Sequence, residues 1–143
     1  MQVVVLAGGI GSRLKPWTNS VPKPLLPMLD RTLLEQVIYT VPSDLIDEVV
    51  VAGGYKVEMI KSYFDSIDCD FDVRIVNETE PLGTGGALGN CRDVVSGTFA
   101  CFNGDIISQI FFEDLWMTRS IHRKHSIKVT IRKDFLCLFL EKI

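Results

Sequence analysis

Short, continuous apolar runs alternate with amphipathic segments along the chain. The runs Gln2–Leu6 and Glu48–Ala52 are rich in valine, and each leads into a glycine-containing turn. A β-branched run that stops at a tight turn is typical of a strand covered on both faces of a parallel sheet. Three further strands are predicted at Phe71–Val76, Thr98–Phe102 and Ser126–Arg132. The pattern therefore predicts five strands.

Between these runs, apolar residues recur at three- and four-residue spacing, which marks one face of a helix. Helices are predicted at Leu33–Val41, which Pro42 ends, at Val57–Ile67, after a loop within Gly83–Val95, and at Phe112–Arg123. A parallel connection must cross the face of the sheet. Repeated strand–helix units therefore predict one doubly wound, three-layer α/β domain with a parallel sheet and right-handed crossovers.

Ligands in such folds bind beyond the carboxyl ends of the strands. The loops that begin at Ala7, Gly53, Asn77 and Asn103 are therefore where a binding site is expected. Three of these loops contain glycine, acidic or amide residues that are unusual in a loop that only connects a strand to a helix.

Composition narrows the classes of partner. The chain of 143 residues is 47% hydrophobic and has a net charge of -3, which gives no reason to expect a nucleic acid or an anionic membrane. No apolar run reaches the ~18 residues of a membrane span and no charged leader segment is present, so a cytoplasmic protein is expected. The cysteines form no Cys-x-x-Cys pair, which favours buried thiols over zinc or disulfides. They are Cys69, Cys91, Cys101 and Cys137.

The first loop concentrates positive charge. Residues 1–29 contain Arg13, Lys15 and Lys23 but no acidic residue. In the run Gly8–Arg13, backbone N–H groups can approach a polyphosphate because the glycines have no Cβ, and an arginine can pair with phosphate oxygens through two N–H groups. The run lacks the Gly-Lys-Ser/Thr of a Walker A loop and the last glycine of the dinucleotide fingerprint. The alternative is a glycine-rich turn with a purely structural role.

Lys23 stands between two prolines, Pro22 and Pro24, which fix the backbone on both sides and favour a pre-positioned cation. A solvated lysine in a stiff connector is the alternative. Trp17 has the ring needed to stack on a nucleobase, but core packing under the long loop is the favoured prediction.

Three blocks of sequence identify a known family. They are Leu6–Pro16 with Pro22–Leu25 and Leu33–Glu35, then Glu80–Leu88, and then Phe102–Asp105. In order and spacing they closely resemble the N-terminal signature of the sugar-phosphate nucleotidyltransferases, also called nucleotide-sugar pyrophosphorylases. The resemblance implies that family's mostly parallel, Rossmann-like nucleotidyltransferase sheet.

The resemblance also implies an activity. Family members join a nucleoside triphosphate to a sugar 1-phosphate and release pyrophosphate. The attacking phosphate is already an anion, so charge neutralisation and in-line positioning rather than a strong general base must supply the acceleration. The form of Pro81–Ala87 is more similar to the guanylyl and uridylyl types, especially mannose-1-phosphate guanylyltransferases, than to the thymidylyl type.

Residue roles follow from the same resemblance. Arg13 would face charge on the departing pyrophosphate, and Lys23 would lie between the nucleotide α-phosphate and the sugar phosphate. Asp105, which on its own would be read as a turn residue or helix cap, would hold Mg²⁺. Glu78 would line the nucleobase, with Glu80 as a near neighbour. The implied nucleotide-binding residues are Leu6, Ala7, Gly8, Gly9, Gly11, Ser12, Arg13, Glu78 and Gly83.

The resemblance extends to about Thr130, whereas family catalytic domains continue further. Residues 1–133 are therefore expected to be the nucleotide-binding part and residues 134–143 an atypical apolar tail, consistent with a truncated or frameshifted product. The tail would cover a sheet edge or pair with a second copy in a homodimer. Three alternatives stay open: a working enzyme, a nucleotide-binding module without turnover, and a fold kept for assembly alone.

Overall fold

The computed structural model of the protein describes residues 1–107, residue 112, and the strands at 128–132 and 135–141. The strands are β1 (Gln2–Ala7), β2 (Pro27–Met28), β3 (Arg31–Thr32), β4 (Glu48–Gly53), β5 (Asp72–Asn77), β6 (Thr98–Asn103), β7 (Lys128–Arg132) and β8 (Phe135–Glu141). The α-helices are α1 (Trp17–Ser20), α2 (Leu33–Ile38), α3 (Val57–Ser66) and α4 (Gly83–Asn90). Single 3-10 turns lie at Ser12–Leu14, Lys23–Leu25 and Ser43–Leu45.

The main sheet has six strands in the order β5-β4-β1-β6-β8-β7. The first four are parallel, with β1 between β4 and β6. Val3, Val4 and Val5 of β1 are completely buried, as a strand covered on both faces must be. The prediction of a mostly parallel α/β sheet is confirmed, and the short hairpin of β2 and β3 lies outside it.

Of the two carboxyl-terminal strands, only β8 runs opposite to the four parallel strands. β8 is antiparallel to both β6 and β7 and lies between them. The segment predicted as an apolar tail is thus an internal strand that covers the edge of β6, one of the two roles expected of it. Its almost unbroken apolar sequence is typical of a strand within a sheet rather than at its margin.

Two helices differ in extent from the prediction. α2 begins at a capping box formed by Thr32 and Glu35, and it ends at Ile38 because the next residues form a tight turn in which Val41 N donates to Ile38 O. α4 begins at Gly83, where a loop was expected, and its four glycines had weakened the helical signal. The helix predicted at 112–123 lies outside the described residues except for Phe112.

Alternate residues of the central strands point to opposite faces of the sheet. On one face, Val3 and Val5 pack with Leu34 of α2 and Ile60 of α3. On the other face, Val4 packs with residues of α4 and the turn after it, among them Ala87, Cys91 and Val95. Helices on both faces make the three predicted layers.

The burial of individual side chains agrees only in part with the sequence predictions. Cys91 and Cys101 are buried as predicted, whereas Cys69 is only half-buried, and the side chain of Cys137 lies outside the description. The prediction for Trp17 was wrong, because its side chain is 71% exposed and the buried residue of α1 is its neighbour Thr18. No helix in the described ranges is long and apolar enough to cross a membrane.

Candidate active site

A cleft of about 310 Å³ opens at the carboxyl ends of β1 and β6, beside the first turn of α4. This is the edge of the sheet at which the loop positions predicted a ligand. The residues that line the cleft are Leu6, Ala7, Gly8, Gly9, Lys23, Pro24, Glu78, Pro81, Gly83, Thr84, Ala87, Asn103, Gly104 and Asp105.

Most of the sequence-predicted site residues meet here. Eight of them line the same cleft: Leu6, Ala7, Gly8, Gly9, Lys23, Glu78, Gly83 and Asp105. Gly11, Ser12 and Arg13 do not line it. Ser12 and Arg13 are exposed on the 3-10 turn that follows β1.

The lining also includes polar residues for which no role was predicted from the sequence. Thr84 lies in the first turn of α4 and Asn103 ends β6. Both belong to the sequence blocks that resemble the family, and membership of these blocks was the only feature of the sequence that could have indicated a role for them. Their side chains are short and common in turns, so their residue type alone does not indicate binding.

Glu78 extends its carboxylate over the glycine loop. It follows β5, and its backbone N–H donates to Gly53 O at 2.7 Å. A Cβ added to Gly8 would lie only 2.6 Å from Glu78 Oε1. That oxygen is buried and receives no hydrogen bond from the part of the chain that the structure describes. A buried carboxylate oxygen without a donor is rare in folded proteins, and at the wall of a cleft it is suited to a ligand N–H.

Lys23 and Asp105 form an ion pair across the cleft, with Lys23 Nζ 2.6 Å from Asp105 Oδ2. Asp105 is held there by the turn after β6, in which Gly104 N donates to Leu6 O at 2.8 Å. A Cβ on Gly104 would approach the same carbonyl oxygen to 3.0 Å, so the close approach of the two loops favours glycine. Lys23 itself opens the 3-10 turn that Pro22 precedes.

Arg13 is an exposed cation on the turn that follows β1, outside the lining of the cleft. Gly11 has a φ of 66° and caps the 3-10 turn that carries Arg13. A Cβ at Gly11 would meet Thr18 Cγ2 at 3.0 Å and Lys23 Cβ at 3.1 Å. The glycine therefore lets the Arg13 turn pack directly against Lys23. Within residues 1–107, Arg13 forms no ion pair with an acidic side chain.

The fit of a divalent cation can be judged from Asp105. Within the described residues, no group of three or more histidine, cysteine or acidic side chains is close enough to hold a metal. Mg²⁺, however, is commonly held by one or two carboxylates together with substrate phosphates and water. Asp105 supplies one carboxylate of this kind at the wall of the cleft, whereas the glycine N–H groups and Lys23 are donors suited to the phosphates.

Comparison with known proteins identifies relatives of the chain. The D-glycero-alpha-D-manno-heptose 1-phosphate guanylyltransferase of Campylobacter jejuni is 36% identical over 120 residues, which cover 84% of this chain and 54% of that protein. Mannose-1-phosphate guanylyltransferase 1 of Arabidopsis thaliana is 31% identical over 137 residues, or 92% of this chain and 37% of that protein. The chain thus spans about half the length of these relatives, or less.

Solved structures share the fold. HddC from Yersinia pseudotuberculosis complexed with GMP-PN superimposes with a TM-score of 0.70 at 22% identity, covering 99% of this chain and 73% of that one. UTP-bound UGPase from Acinetobacter baumannii gives a TM-score of 0.71 at 18% identity, with coverage of 90% and 54%. The sequence model of the family described as Nucleotidyl transferase matches residues 2–133. Because that match extends over nearly all of the sequence, the chain belongs to the nucleotidyl transferase family.

Proposed function

We propose that the protein transfers a nucleotidyl group, preferentially guanylyl, from a nucleoside triphosphate to a sugar 1-phosphate with release of pyrophosphate. One observation carries the proposal: a single cleft combines a glycine loop, the cation Lys23 and a carboxylate oxygen of Glu78 that has no hydrogen-bond donor among the described residues. These are the groups that a triphosphate and a nucleobase with N–H donors require. Several relatives are named as sugar-phosphate guanylyltransferases.

The preference for guanine rests on Glu78. An ionised carboxylate only accepts hydrogen bonds, and its two oxygens accept two parallel donors. The Watson–Crick edge of guanine offers N1–H and the N2 amino group side by side, whereas uracil and thymine offer N3–H alone. Because Oε1 is buried without a donor in the described residues, a base that satisfies it removes a desolvation cost that the free protein bears.

The phosphates would lie along the glycine loop. Gly8 and Gly9 line the cleft and have no side chains of their own, so their backbone N–H groups would hold phosphate oxygens. Lys23, which also lines the cleft, would neutralise the α-phosphate and the incoming sugar phosphate together. Arg13, exposed beyond the cleft, would reach the terminal phosphates.

The displacement then needs positioning and charge neutralisation. An oxygen of the sugar phosphate attacks the α-phosphorus, a new P–O bond forms, and the bond to the β-phosphate oxygen breaks in line with it. The electron pair leaves with pyrophosphate, whose growing charge Arg13 and Lys23 would stabilise. Asp105 would hold a Mg²⁺ ion, which would supply further neutralisation of the phosphate charge.

Binding without turnover is the second candidate. It is favoured by Asp105, whose carboxylate forms an ion pair with Lys23 and which, within the described residues, belongs to no group of three or more side chains that could hold a metal. The expected homodimer and cytoplasmic location stay predictions, and light scattering of the purified chain tests the first of them.

The deciding experiment measures nucleotide affinity and product release on the purified chain. Calorimetric titration with GTP, UTP, ATP, CTP and dTTP is expected to show the tightest binding for GTP. Glu78→Gln replaces one acceptor oxygen by a donor, so we expect a loss of GTP affinity of about 10-fold or more and little change for UTP.

Pyrophosphate release with mannose 1-phosphate or heptose 1-phosphate separates the two candidates. Release supports the transferase, and GTP binding without release supports the binding module. Equal affinity for all five triphosphates in the wild type, or no effect of Glu78→Gln on GTP binding, would remove the guanine assignment. No triphosphate binding at all would overturn the proposed function.

A further inference from the structure

The loop after β4 holds the end of α1 through side-chain hydrogen bonds. Tyr55 OH donates to Thr18 O at 3.0 Å, and Lys56 Nζ donates to Asn19 O at 2.5 Å and to Ser20 O at 2.8 Å. The three acceptors are consecutive carbonyl groups at the C-terminal end of α1, where a helix has no backbone donors left for them. A cation also interacts favourably with this end of a helix.

The backbone of Lys56 indicates that its side chain matters. Its φ is 53°, in the left-handed region that non-glycine residues enter only at a cost in free energy. Glycine would adopt this conformation without strain. A glycine could form the same turn but could not donate hydrogen bonds to the two carbonyl groups of α1. The contact of the Lys56 ammonium group with these carbonyls therefore explains a lysine at this position.

The contact leads to the proposed phosphate site through Thr18. Thr18 is 1% exposed, and its hydroxyl donates to Gly11 O at 3.0 Å. Gly11 in turn lies against both Thr18 and Lys23, since a Cβ added there would be 3.0 and 3.1 Å from their side chains. Tyr55 and Lys56 therefore fix one end of a short chain of packed groups whose other end is the cation of the cleft.

We propose that Tyr55 and Lys56 act together as positioning residues, named here the Tyr55–Lys56 clasp, which holds the segment from Gly11 to Lys23 in the conformation that binds a triphosphate. This inference rests on the proposed function. α1 has only four residues, too few to be stable by itself. Without the clasp the segment samples more conformations, and triphosphate binding must bear the cost of ordering it.

The test compares five variants of the full chain. Tyr55→Phe and Lys56→Met remove the hydrogen bonds, Lys56→Arg keeps a cation that can donate, and Lys56→Gly removes the cation while relieving the backbone. Lys61→Met is the matched control, because it removes an exposed lysine of α3. The readouts are amide hydrogen exchange of residues 12–21 without nucleotide, affinity for GTP, and Tm.

Lys56→Met and Tyr55→Phe are expected to speed exchange in this segment by about 10-fold and to weaken GTP binding about 5-fold or more. Lys56→Arg and Lys61→Met should remain near the wild type. Lys56→Gly is the most informative variant. Its Tm should equal or exceed that of Lys56→Met, because the backbone strain is relieved. Its hydrogen exchange in residues 12–21 should nevertheless be as fast, and its GTP binding as weak, as in Lys56→Met. If Lys56 only stabilised the fold, these two properties would instead follow Tm.

Unchanged exchange in residues 12–21 of both Tyr55→Phe and Lys56→Met would overturn the clasp. So would a loss of GTP affinity in these variants that follows Tm alone. If the wild type binds no triphosphate, the proposed function fails, but hydrogen exchange still decides whether the clasp orders the segment. The two failures are therefore distinguishable.

Discussion

The carboxylate of Glu78 lies where a side chain on Gly8 would have to be. A Cβ at residue 8 would be 2.6 Å from Oε1 and 2.9 Å from Oε2. Gly9, the next residue, has no heavy atom within 4 Å of the corresponding position. The two adjacent glycines therefore differ in their surroundings. The absence of a side chain at Gly8 leaves room for the Glu78 carboxylate, whereas Gly9 faces open space in the cleft.

Gly8→Ala is expected to weaken GTP binding without destabilising the fold. The added methyl group must displace the Glu78 carboxylate, which is the flexible end of a side chain and loses no hydrogen bond at Oε1. We therefore expect the free energy of unfolding to change by less than about 1 kcal/mol. GTP affinity should fall by about 10-fold, because the base loses its acceptor.

A double-mutant cycle tests whether the loss acts through Glu78. In a Glu78→Ala background, Gly8→Ala should have little further effect on GTP affinity, since the group it displaces is gone. Additive losses in the double variant would show that residue 8 acts on the nucleotide directly and would contradict the prediction. Titration calorimetry and urea denaturation supply both measurements.

Lys23→Ala and Arg13→Ala should weaken triphosphate binding while leaving the fold intact. The Lys23 and Asp105 side chains are 26% and 49% exposed, and ion pairs at such sites contribute about 1 kcal/mol or less to stability. A phosphate contact made by Lys23 in the cleft or by Arg13 beyond it is worth more, so affinity for GTP should fall by about 10-fold in each variant.

Arg92→Ala is the matched control for these two variants. Arg92 is an exposed arginine whose neighbour is Asp93, and its removal changes net charge equally without touching the cleft. Unchanged GTP affinity in Lys23→Ala and Arg13→Ala, or an equal loss in Arg92→Ala, would show that the cleft does not hold the triphosphate.

Asp105→Asn should have opposite effects with and without Mg²⁺. In EDTA, the variant removes a negative charge from the cleft and frees Lys23 from its partner, so GTP should bind as tightly as in the wild type or more tightly. With Mg²⁺, a carboxylate ligand is missing, and GTP affinity should fall several-fold. Titrations in the two buffers check this prediction. A loss of the same size in both would mean that Asp105 only maintains the loop.

Much of the fold was predictable because burial controls the sequence pattern directly. β1 and β4 are covered on both faces, and their valine runs match the observed strands to within one residue. The final strand was harder. β8 pairs antiparallel with β6 and β7, and an apolar run alone does not state its direction or its neighbours.

The site was predictable where short sequence blocks carry it and not where distant segments meet. Gly8 and Lys23 stood out by their local sequence and Asp105 only through the family resemblance, and all three line the cleft. The exposure of Trp17 and the role of buried Thr18 were not predictable, because both depend on how α1 packs against Tyr55, 37 residues further along the chain. Hydrophobicity favours burying tryptophan, whereas here a hydrogen-bonded threonine fills the interior position.

The glycines of α4 provide a stability test. Gly89 has open space where a Cβ would be, so Gly89→Ala should stabilise the protein by about 0.5–1 kcal/mol by reducing the entropy of the unfolded chain. At Gly86 a Cβ would come within 2.8 Å of Leu82 Cβ, so Gly86→Ala should gain nothing or destabilise. Urea denaturation of both variants measures the difference. Equal stabilisation of the two variants would show that Leu82 can move away from a methyl group at residue 86 without a cost in free energy.

Stability should fall at alkaline pH because of a buried thiol. Burial raises the pKa of Cys91 from 9.0 to about 11, with a smaller contribution from the charge of Glu78. Below its ordinary pKa the thiol is protonated in both the folded and the unfolded state, and its contribution to stability is fully present. Between these two pKa values, the unfolded state releases a proton that the folded state keeps. Stability is therefore lost as pH rises through this window, by about 1.4 kcal/mol per pH unit for one such group.

Cys91→Ala isolates this contribution. The variant is less stable at neutral pH because it leaves a small cavity in the packing under α4. Its free energy of unfolding should nevertheless depend less steeply on pH above 9 than that of the wild type. The remaining slope reflects other groups whose pKa burial also raises: Tyr39, Tyr63 and Cys69. Urea denaturation at several alkaline pH values gives both slopes, and identical slopes would rule out Cys91 as the cause, because removing the titrating group must remove its proton release.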